Sequence, residues 1–466
     1  MTAVTTMNQR IASEAIEPLR AAVRGTVIAP EDPGFDEART VYNAMIDKRP
    51  AVIVQAVDVA DVMAGVAFAN EHDLAICVRG GGHNAAGLGT CDGGIVIDLG
   101  RMNAVRVNPT TRRVVVEGGA TWGDVDHATA PFGLAVPCGI ISTTGVGGLT
   151  LGGGFGYLSR GYGLTIDNLV SADLVLADGS FVTASESENP DLFWAIRGGG
   201  GNFGVVTAFE FMAQKAGTVT AGVLFYELDK AAELMRIYRD FIDGAPRELG
   251  IFFGYLMTPP APFLPEELHL KNMAKIVYCF RGPEAEARTV LEPFLKVGPE
   301  AEVGGEMPFA TWNAMFDALF PPGRQDYWKA DFLTELSDEA IEVNTTFGPR
   351  MPNPSSVMHL YSVNGAIQDV APTATAYNRR DAKFAWVVLV TDDDASRMAD
   401  HITLARDYWT AQHPFTAGGA YLNMMMDEGS DRVKDSYREN YPRLQAIKAQ
   451  VDPDNRFRIN QNIAPK

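Results

Sequence analysis

Three glycine-rich segments constrain the fold of this chain more than any other feature of its sequence. They read RGGGHNAAGLG at residues 79–89, GVGGLTLGGGFG at 145–156 and RGGGGNFG at 197–204. Glycine is unfavourable inside helices and strands, so such clusters indicate backbone that takes positive φ angles or passes close to a ligand. Tight turns alone are the alternative, but turns do not explain three long clusters in one part of a chain. The sequence therefore predicts loops that hold a ligand.

The composition is that of an ordinary globular protein. The chain has 466 residues, 46% of them hydrophobic and 21% charged, which predicts two domains or one domain with a large insert. Its net charge is −19 and no run of Lys or Arg interrupts that acidity, so we expect no nucleic-acid partner. Four cysteines are too few for a disulfide framework.

The start of the chain and its apolar runs bear on localisation. The first twenty residues have the pattern of an amphipathic helix and lack the central apolar stretch of a signal peptide. The longest apolar run, FAWVVLV at 384–390, is too short to cross a membrane. We therefore expect a cytoplasmic protein with no membrane partner.

The character of the sequence changes near residue 217. Over 1–216, short β-rich runs and stretches of helical apolar spacing surround the glycine clusters, which predicts one α+β domain. Over 217–414, longer β-rich runs alternate with helical stretches, which fits one sheet covered by helices. Residues 415–466 are polar again and end in a predicted helix followed by DPDNRF and INQNI. The predicted fold class is α+β.

The RGGGHN segment carries the first chemical signal. A strand that ends at Arg79 and continues into Gly80, Gly81 and Gly82 can turn tightly and direct successive N–H groups at an anionic ligand. The cluster at 145–156 can do the same from the opposite side. Neither cluster fits the Rossmann fingerprint, which opens a helix and precedes an acidic residue about twenty positions later. A simple NAD-dependent enzyme is therefore not favoured.

Five motifs together resemble the berberine-bridge-enzyme-like flavoprotein oxidases of the vanillyl-alcohol-oxidase superfamily, which have a PCMH-type FAD-binding domain. They are RGGGHN, the GxGGxxxGGGxG loop, GLTIDNL, NPDLFWAIRGGGGNFGVV and the closing segment from YLNM to INQNI, in the family's order. The resemblance implies two α+β subdomains around FAD and a substrate domain with a central antiparallel sheet covered by helices. It also implies that 415–466 return to the FAD domain. The short chain resembles the bacterial hydroxynicotine-oxidase-like members in particular.

The resemblance implies FAD as the cofactor and His83 as its covalent anchor. In the family, the matching histidine is linked to the 8α-methyl group of the isoalloxazine, and a neutral imidazole nitrogen is the nucleophile that such a bond needs near pH 7. The alternative is an ordinary loop histidine. By the same resemblance, the loop around the FAD pyrophosphate consists of Arg79, Gly80, Gly81, Gly82 and Asn84 together with His83.

A second attachment of the flavin is not expected. Relatives use a cysteine for it, but Ile141 occupies the matching position, with Ser142 in place of the usual proline. Cys138 lies three residues upstream, so we expect it to pack as a small residue against the cofactor loop. Thr144 is the size of valine and would leave dioxygen access to the flavin. The resemblance extends the cofactor contacts to Gly87, Cys138, Ser142, Thr143, Gly145, Val146, Gly147, Gly148, Gly152, Gly153, Gly154 and Val206.

Strand alternation singles out two sets of residues on the substrate side. Tyr327, Lys329 and Asp331 share one face of the strand predicted over 326–336, and a lysine among apolar residues is costly to bury without a partner or a function. A salt-bridged core lysine is the open alternative. His359 and Tyr361 form a similar pair two residues apart, for which ordinary packing is the alternative.

The resemblance also places Tyr421 and Asn423 next to the flavin. Met424 stands where relatives often carry a second tyrosine, which leaves the catalytic base open. Tyr421 is the first candidate for that base and Lys329 is the second.

The expected function is that of an FAD-dependent oxidase. A polar side chain would remove a proton from an alcohol or amine of a small-molecule substrate while hydride passes to the flavin, and dioxygen would be reduced to hydrogen peroxide. The alternatives are a flavin dehydrogenase with another electron acceptor and a flavoprotein that sequesters a small toxic compound without turnover. Because no second covalent attachment of the flavin is expected, oligosaccharides are less favoured as substrates. The identity of the substrate and the oligomeric state stay open.

Overall fold

The computed structural model describes residues 11–466, in which three large β-sheets and one two-stranded sheet are surrounded by helices. Part of the expected N-terminal amphipathic helix is present as α1 (Ser13–Ala22), and residues 1–10 of that prediction lie outside the described part of the chain. No helix within residues 11–466 is long and apolar enough to cross a membrane.

The first sheet contains four short strands in the order β1-β2-β4-β3. They are β1 (Thr26–Ile28), β2 (Val52–Gln55), β3 (Ile76–Arg79) and β4 (Ile95–Asp98), accompanied by α2 (Phe35–Ala38) and α3 (Val59–Glu71). Strands β2 and β3 run parallel to β4, and their continuous apolar runs are buried, as is usual for parallel strands. Because β3 ends at Arg79, the RGGGHN segment leaves the carboxyl end of this sheet.

The second sheet has five antiparallel strands in the order β5-β6-β10-β8-β9. Its strands are β5 (Val105–Asn108), β6 (Arg113–Glu117), β8 (Leu169–Val175), β9 (Phe181–Ser185) and β10 (Val205–Met212), and a separate small pair is formed by β7 (Leu134–Ala135) and β11 (Gln214–Lys215). The helices of this part are α4 (Trp122–Thr129), α5 (Val146–Leu151), α6 (Ser159–Tyr162) and α7 (Pro190–Ile196).

The third sheet has seven antiparallel strands in the order β15-β12-β14-β13-β17-β18-β16. They are β12 (Thr218–Tyr226), β13 (Leu249–Met257), β14 (Asn272–Phe280), β15 (Ala301–Pro308), β16 (Gln325–Leu333), β17 (Val357–Ser362) and β18 (Phe384–Asp392). The intervening helices are α8 (Ala231–Ile242), α9 (Glu284–Val290), α10 (Glu292–Leu295), α11 (Phe309–Asn313), α12 (Asp338–Phe347) and α13 (Ala395–Gln412). The α+β fold and the antiparallel sheet are confirmed.

The two faces of the third sheet are buried against different parts of the molecule. One face packs against α8, α12 and α13, and we call it the helix face. The other face packs against the glycine-rich segments and residues 420–425, and we call it the cavity face. Since side chains alternate along a strand, each residue of the sheet belongs to one face or the other.

The C-terminal residues pack back onto the first part of the chain. They form α14 (Ser430–Tyr437) and α15 (Tyr441–Val451). The buried ammonium of Lys448 donates to the carbonyl of Asn202, and the carbonyl of Arg456 accepts from the amide of Ile76 at the start of β3. Strand β15 is an element that sequence analysis missed, because the glycine pair in its middle is unfavourable in a strand.

Candidate active site

A cleft lined mainly by glycine runs along the RGGGHN loop. The loop after β3 forms one wall, and the loop that leads into α5 forms another. Residues at the start of β10 and in the C-terminal segment complete it. The lining includes Arg79, Gly80, Gly81, Gly82, His83, Asn84, Thr144, Gly145, Gly147, Gly148, Gly152, Val206, Asn423, Asn460 and Gln461.

The two glycine loops meet backbone to backbone. A Cβ atom added to Gly81 would lie 2.6 Å from the backbone nitrogen of Gly145, and one added to Gly145 would lie 2.4 Å from the nitrogen of Gly81. Nor is there room for a side chain at Gly80, where a Cβ atom would lie 2.9 Å from the carbonyl oxygen of Gly118. These positions need glycine because the loops approach each other too closely for any larger residue.

Arg79 holds the first loop in place. Its guanidinium donates to Asp98 at 2.8 Å and to the carbonyl oxygen of Thr40 at 3.0 Å, so its charge is already paired. The amide groups of Gly80, Gly81 and Gly82 donate to no acceptor within residues 11–466. Unpaired successive amides form the kind of concavity that binds anionic oxygens.

His83 lies where the glycine cleft meets a second cavity, since it lines both. Its ring stacks on Tyr42 with the centroids 4.1 Å apart, and its Nε2 atom is buried without a hydrogen-bond partner within the described residues. Burial lowers the pKa of His83 to about 4, so the imidazole is neutral at pH 7. A neutral ring with a free nitrogen is the form that can act as a nucleophile.

The second cavity is aromatic and apolar. It lies between His83 and the cavity face of the third sheet, and among the residues described there no Asp, Glu, Lys or Arg side chain lines it. The lining consists of Tyr42, His83, Gly139, Ile140, Ile141, Thr144, Leu149, Phe155, Phe320, Trp328, Val357, His359, Tyr361, Val387, Leu389, Tyr421, Asn423 and Met424.

Tyr421 and Asn423 are held together where the two cavities join. The Tyr421 hydroxyl oxygen accepts from the amide of Gly154 at 2.9 Å and from the Asn423 side chain at 2.7 Å. Asn423 also donates to the carbonyl oxygen of Leu149. Burial raises the pKa of Tyr421 to about 12, so this residue keeps its proton at neutral pH. It can orient a ligand, but it is a poor base.

His359 and Tyr361 form a hydrogen-bonded pair on the opposite wall of the cavity. Nδ1 of His359 lies 2.6 Å from the Tyr361 hydroxyl, and Nε2 has no partner within the described residues. Burial lowers the pKa of His359 far below its usual value and raises the pKa of Tyr361. Both side chains are therefore neutral and polar in an otherwise apolar wall.

Comparison with known proteins agrees with this geometry. Residues 50–185 match the family described as FAD binding domain, and residues 420–464 match the family described as berberine and berberine like. The chain is 31% identical to an uncharacterised FAD-linked oxidoreductase, YgaK of Bacillus subtilis, over 96% of this chain and 98% of that protein. The protein belongs to the berberine-bridge-enzyme-like FAD-linked oxidoreductases.

Two further relatives of this oxidoreductase have a named activity. It is 31% identical to the (R)-6-hydroxynicotine oxidase of Paenarthrobacter nicotinovorans, over 98% of this chain and 100% of that one. Its fold is similar to the crystal structure of 6-hydroxy-D-nicotine oxidase from Arthrobacter nicotinovorans, with a TM-score of 0.85, 27% identity, and coverage of 95% of this chain and 98% of that one.

The residues of the cleft fit FAD. Glycine loops without room for a Cβ atom, unpaired amides and a free imidazole nitrogen suit a pyrophosphate followed by a flat ring near His83. Residues Gly80–Gly82 would hold the pyrophosphate, and His83, Asn423 and Tyr421 would lie beside the isoalloxazine. The protein is thus an FAD-linked oxidoreductase whose cleft opens directly into an apolar cavity.

The structure does not bring Tyr327 or Lys329 to the cavity of this oxidoreductase. Both lie on the helix face: the Tyr327 hydroxyl accepts from Arg406, and Lys329 pairs with Glu428 at 3.1 Å. The alternation of side chains along this strand was predicted, but the face that meets the cavity is the one that carries Trp328, not the one that carries Tyr327 and Lys329. Lys329 is the salt-bridged core lysine that sequence analysis held as the alternative.

Several residues expected to contact the cofactor also lie outside the lining of the cleft. The Cys138 thiol is buried and accepts from Asn313, and Ser142 is bound through its amide and hydroxyl to Asp317. The side chains of Cys138 and Ser142, in the chain before α5, point into the protein instead of into the cleft. Gly153 and Gly154, which follow α5, adopt positive φ angles in a turn. The expected cofactor residues absent from the lining of the cleft are Gly87, Cys138, Ser142, Thr143, Val146, Gly153, Gly154 and Tyr421, the last of which lines the second cavity.

Other residues of the cavity were missed by sequence analysis. Trp328 could have been found by taking the opposite face of its strand. Tyr42, Phe155 and Phe320 come from segments without a recognisable motif, and only the folded chain brings them together. The terminal INQNI contributes Asn460 and Gln461 to the cleft.

Proposed function

We propose that the protein is an oxidase that takes hydride from a carbon of a small, uncharged, largely aromatic substrate, an alcohol in preference to an amine, and transfers the electrons to dioxygen. The observation that carries this proposal is the position of His83, which lies between the glycine cleft and the aromatic cavity. Bound FAD would supply the redox chemistry, accepting hydride and returning electrons to oxygen as hydrogen peroxide.

His83 is proposed as the covalent anchor of the flavin. Its neutral ring, stacked on Tyr42, keeps a nitrogen free for the bond. Cys138 is excluded as a second anchor in this proposal because its thiol is buried beside Asn313, away from both cavities, and burial raises its pKa. A single attachment through His83 is expected.

The lining of the aromatic cavity supports the choice of substrate. A cationic amine would need a carboxylate, and a carboxylate substrate would need a cation, because a charge without a partner is costly to bury. Among residues 11–466, the lining offers neither. An aromatic alcohol would stack on Phe155 and Trp328 and place its hydroxyl near Tyr361.

Thr144 lines both the cleft and the cavity, beside His83. Its small side chain supports access of dioxygen to the flavin, which favours an oxidase over a dehydrogenase. The substrate hydroxyl would be oriented by Tyr421 and Asn423 on one side and by the His359–Tyr361 pair on the other.

The first test is an absorption spectrum of the purified protein before and after acid precipitation. We expect a flavin spectrum and a yellow pellet, with the colour of the pellet lost in His83→Ala and retained in the control Cys138→Ala. Hydrogen peroxide is then measured with a panel of neutral aromatic alcohols, matched amines and matched carboxylates. Flavin that stays in the supernatant would refute the covalent link, and reduction without peroxide would indicate a dehydrogenase.

A further inference from the structure

Lys275 is a buried lysine on the cavity face with no partner for its charge. It lies in β14 with 6% of its surface exposed, and its ammonium forms no ion pair or hydrogen bond with residues 11–466. Lys448 is also buried but donates to Asp452 and to two carbonyl oxygens. Removing an unpaired ammonium from water is costly, which makes Lys275 an exception that calls for a function.

Gly254 brings Lys275 close to His359. Gly254 lies on β13 directly between the two, opposite Lys275 on one side and His359 on the other. A Cβ atom at position 254 would lie 3.0 Å from Cε of Lys275 and 2.8 Å from Cδ2 of His359. These two carbon atoms are therefore within about 6 Å of each other. They fill the space that a side chain at position 254 would occupy.

His359 connects this space to the cavity. Its Nδ1 atom is bonded to the Tyr361 hydroxyl at 2.6 Å. Its Nε2 atom, which is covalently bonded to Cδ2, is buried and has no partner among the described residues. Cδ2, the ring carbon bonded to this free nitrogen, is the atom that lies next to Gly254 on the side of Lys275, while Tyr361 lines the cavity together with Tyr421.

We propose that Tyr361, His359 and Lys275 form a proton relay that takes the hydroxyl proton of the substrate during its oxidation. The inference rests on the proposed oxidase function. The substrate O–H bond breaks and its proton passes to the Tyr361 oxygen; the Tyr361 proton passes to Nδ1 of His359. The proton on Nε2 passes through one bridging water to Nζ of Lys275, since these two nitrogens are not in direct hydrogen-bond contact. The substrate carbon loses hydride to the flavin at the same time, so one proton and one hydride leave and a carbonyl product remains.

The residues packed around Tyr361, His359 and Lys275 determine which of these three side chains holds the proton. Phe225 lies opposite Lys275 on β12, Phe252 on β13 contacts the rings of His359 and Tyr361, and Tyr157 is a further ionisable group near Tyr361. Burial keeps His359 and Tyr361 neutral, because it lowers the pKa of the first and raises that of the second. Burial also lowers the pKa of Lys275 to about 7, which suits a group that must accept a proton near neutral pH.

The relay is tested first in the resting holoprotein, without any substrate. The protein is labelled with ¹³C at the lysine ε carbons and ¹⁵N in the histidine rings, and both signals are followed by NMR during a pH titration. We expect one lysine signal, absent from Lys275→Met, to titrate near pH 7, and the ring nitrogens of His359 to shift with the same midpoint. The His359 shift should disappear in Lys275→Met and in Lys275→Arg, whose guanidinium stays charged.

Exposed Lys271 provides the matched control, because Lys271→Met should leave both titrations unchanged. A Lys275 signal that titrates together with the exposed lysines would overturn the relay. So would His359 nitrogens that do not respond to Lys275. Should Lys275→Met fail to fold, Lys275→Arg gives the same information.

The second test measures flavin reduction by an aromatic alcohol from the peroxide panel. The wild-type rate should rise with pH through about 7, since Lys275 must be neutral to accept a proton. Lys275→Met should lose that dependence and about a hundredfold in rate, the usual contribution of a proton acceptor. Wild-type rate and pH profile in Lys275→Met would refute the relay, whereas a flavin that no alcohol reduces would refute the oxidase function and leave the NMR result intact.

Discussion

The two faces of the seven-stranded sheet each bury a lysine, but in opposite ways. On the helix face, Lys329 pairs with Glu428 at 3.1 Å and lies 4.7 Å above the ring of Trp409, while nearby Asp331 is bound by Arg432 and His413. On the cavity face, Lys275 has neither a counter-ion nor a hydrogen bond within residues 11–466. Removing one partner of a buried charge pair destabilises the fold, whereas a buried charge without partners is a candidate for chemistry.

The largest effect should come from breaking the network on the helix face. Asp331→Ala removes the buried carboxylate that pairs with Arg432 and His413 and leaves Arg432 with Glu428 alone. We therefore expect a loss of about 3 kcal/mol in unfolding free energy, measured by urea denaturation. Asp338, which pairs with Arg239 at the surface, is the control, and Asp338→Ala should change stability little. Equal losses in the two variants would contradict the contrast between buried and exposed pairs.

A smaller loss should follow from filling the space over Gly254. The added Cβ atom of Gly254→Ala would lie 2.8 Å from Cδ2 of His359 and 2.7 Å from the backbone oxygen of Met358, which is tighter than packing allows. We expect a loss of about 1–3 kcal/mol in unfolding free energy, as for other overpacked sites. Gly244→Ala meets its nearest atom at 4.0 Å and should be tolerated. Unchanged stability in Gly254→Ala would show that the side chains of His359 and Lys275 can move apart to make room for the added Cβ atom.

The third prediction concerns the pH dependence of stability in Lys275→Met. The folded protein releases the Lys275 proton near pH 7, while the unfolded chain keeps it up to about pH 10.5. Because the unfolded state binds more protons between these values, the contribution of Lys275 to stability rises with pH there. The stability of Lys275→Met relative to wild type should therefore be greatest below pH 7 and should decline towards pH 10.5. Denaturant midpoints at a series of pH values measure this difference, and a constant gap would refute it.

The smallest effect is expected at Tyr421. Tyr421→Phe removes the oxygen that accepts from Gly154 and Asn423, which should cost about 1–2 kcal/mol of unfolding free energy. Flavin should stay attached through His83, so the acid-precipitated pellet remains yellow. A colourless pellet would mean that Tyr421 takes part in forming the link. Tyr162→Phe, at a half-buried hydroxyl outside both cavities, is the matched control.

Motifs allowed the cofactor side to be predicted better than the substrate side. RGGGHN and the GVGG loop could be recognised as ligand-holding loops without the fold, because long glycine clusters are unusual inside helices and strands. The fold adds the reason for two of these glycines, namely the backbone contact between Gly81 and Gly145. The cofactor contacts of Cys138 and Ser142 stay predictions: Cys138 packs next to Gly156, and Ser142 is bound to Asp317. Asp317, which binds Ser142, is far away in sequence and gave no signal.

The sequence by itself determined the family, the α+β fold, the FAD-linked chemistry and the alternation of the strands, because all of these depend on local patterns or long ordered motifs. Only the tertiary structure decided which face of the third sheet meets the flavin side. The outcome depends on what packs against each face. As a result, Lys329 lies on the helix face, paired with Glu428, and Lys275 lies on the cavity face. The sequence around a strand shows which residues share a face but not what that face packs against. Lys275 and Lys329 therefore look alike in the sequence and differ in the partners that the fold supplies.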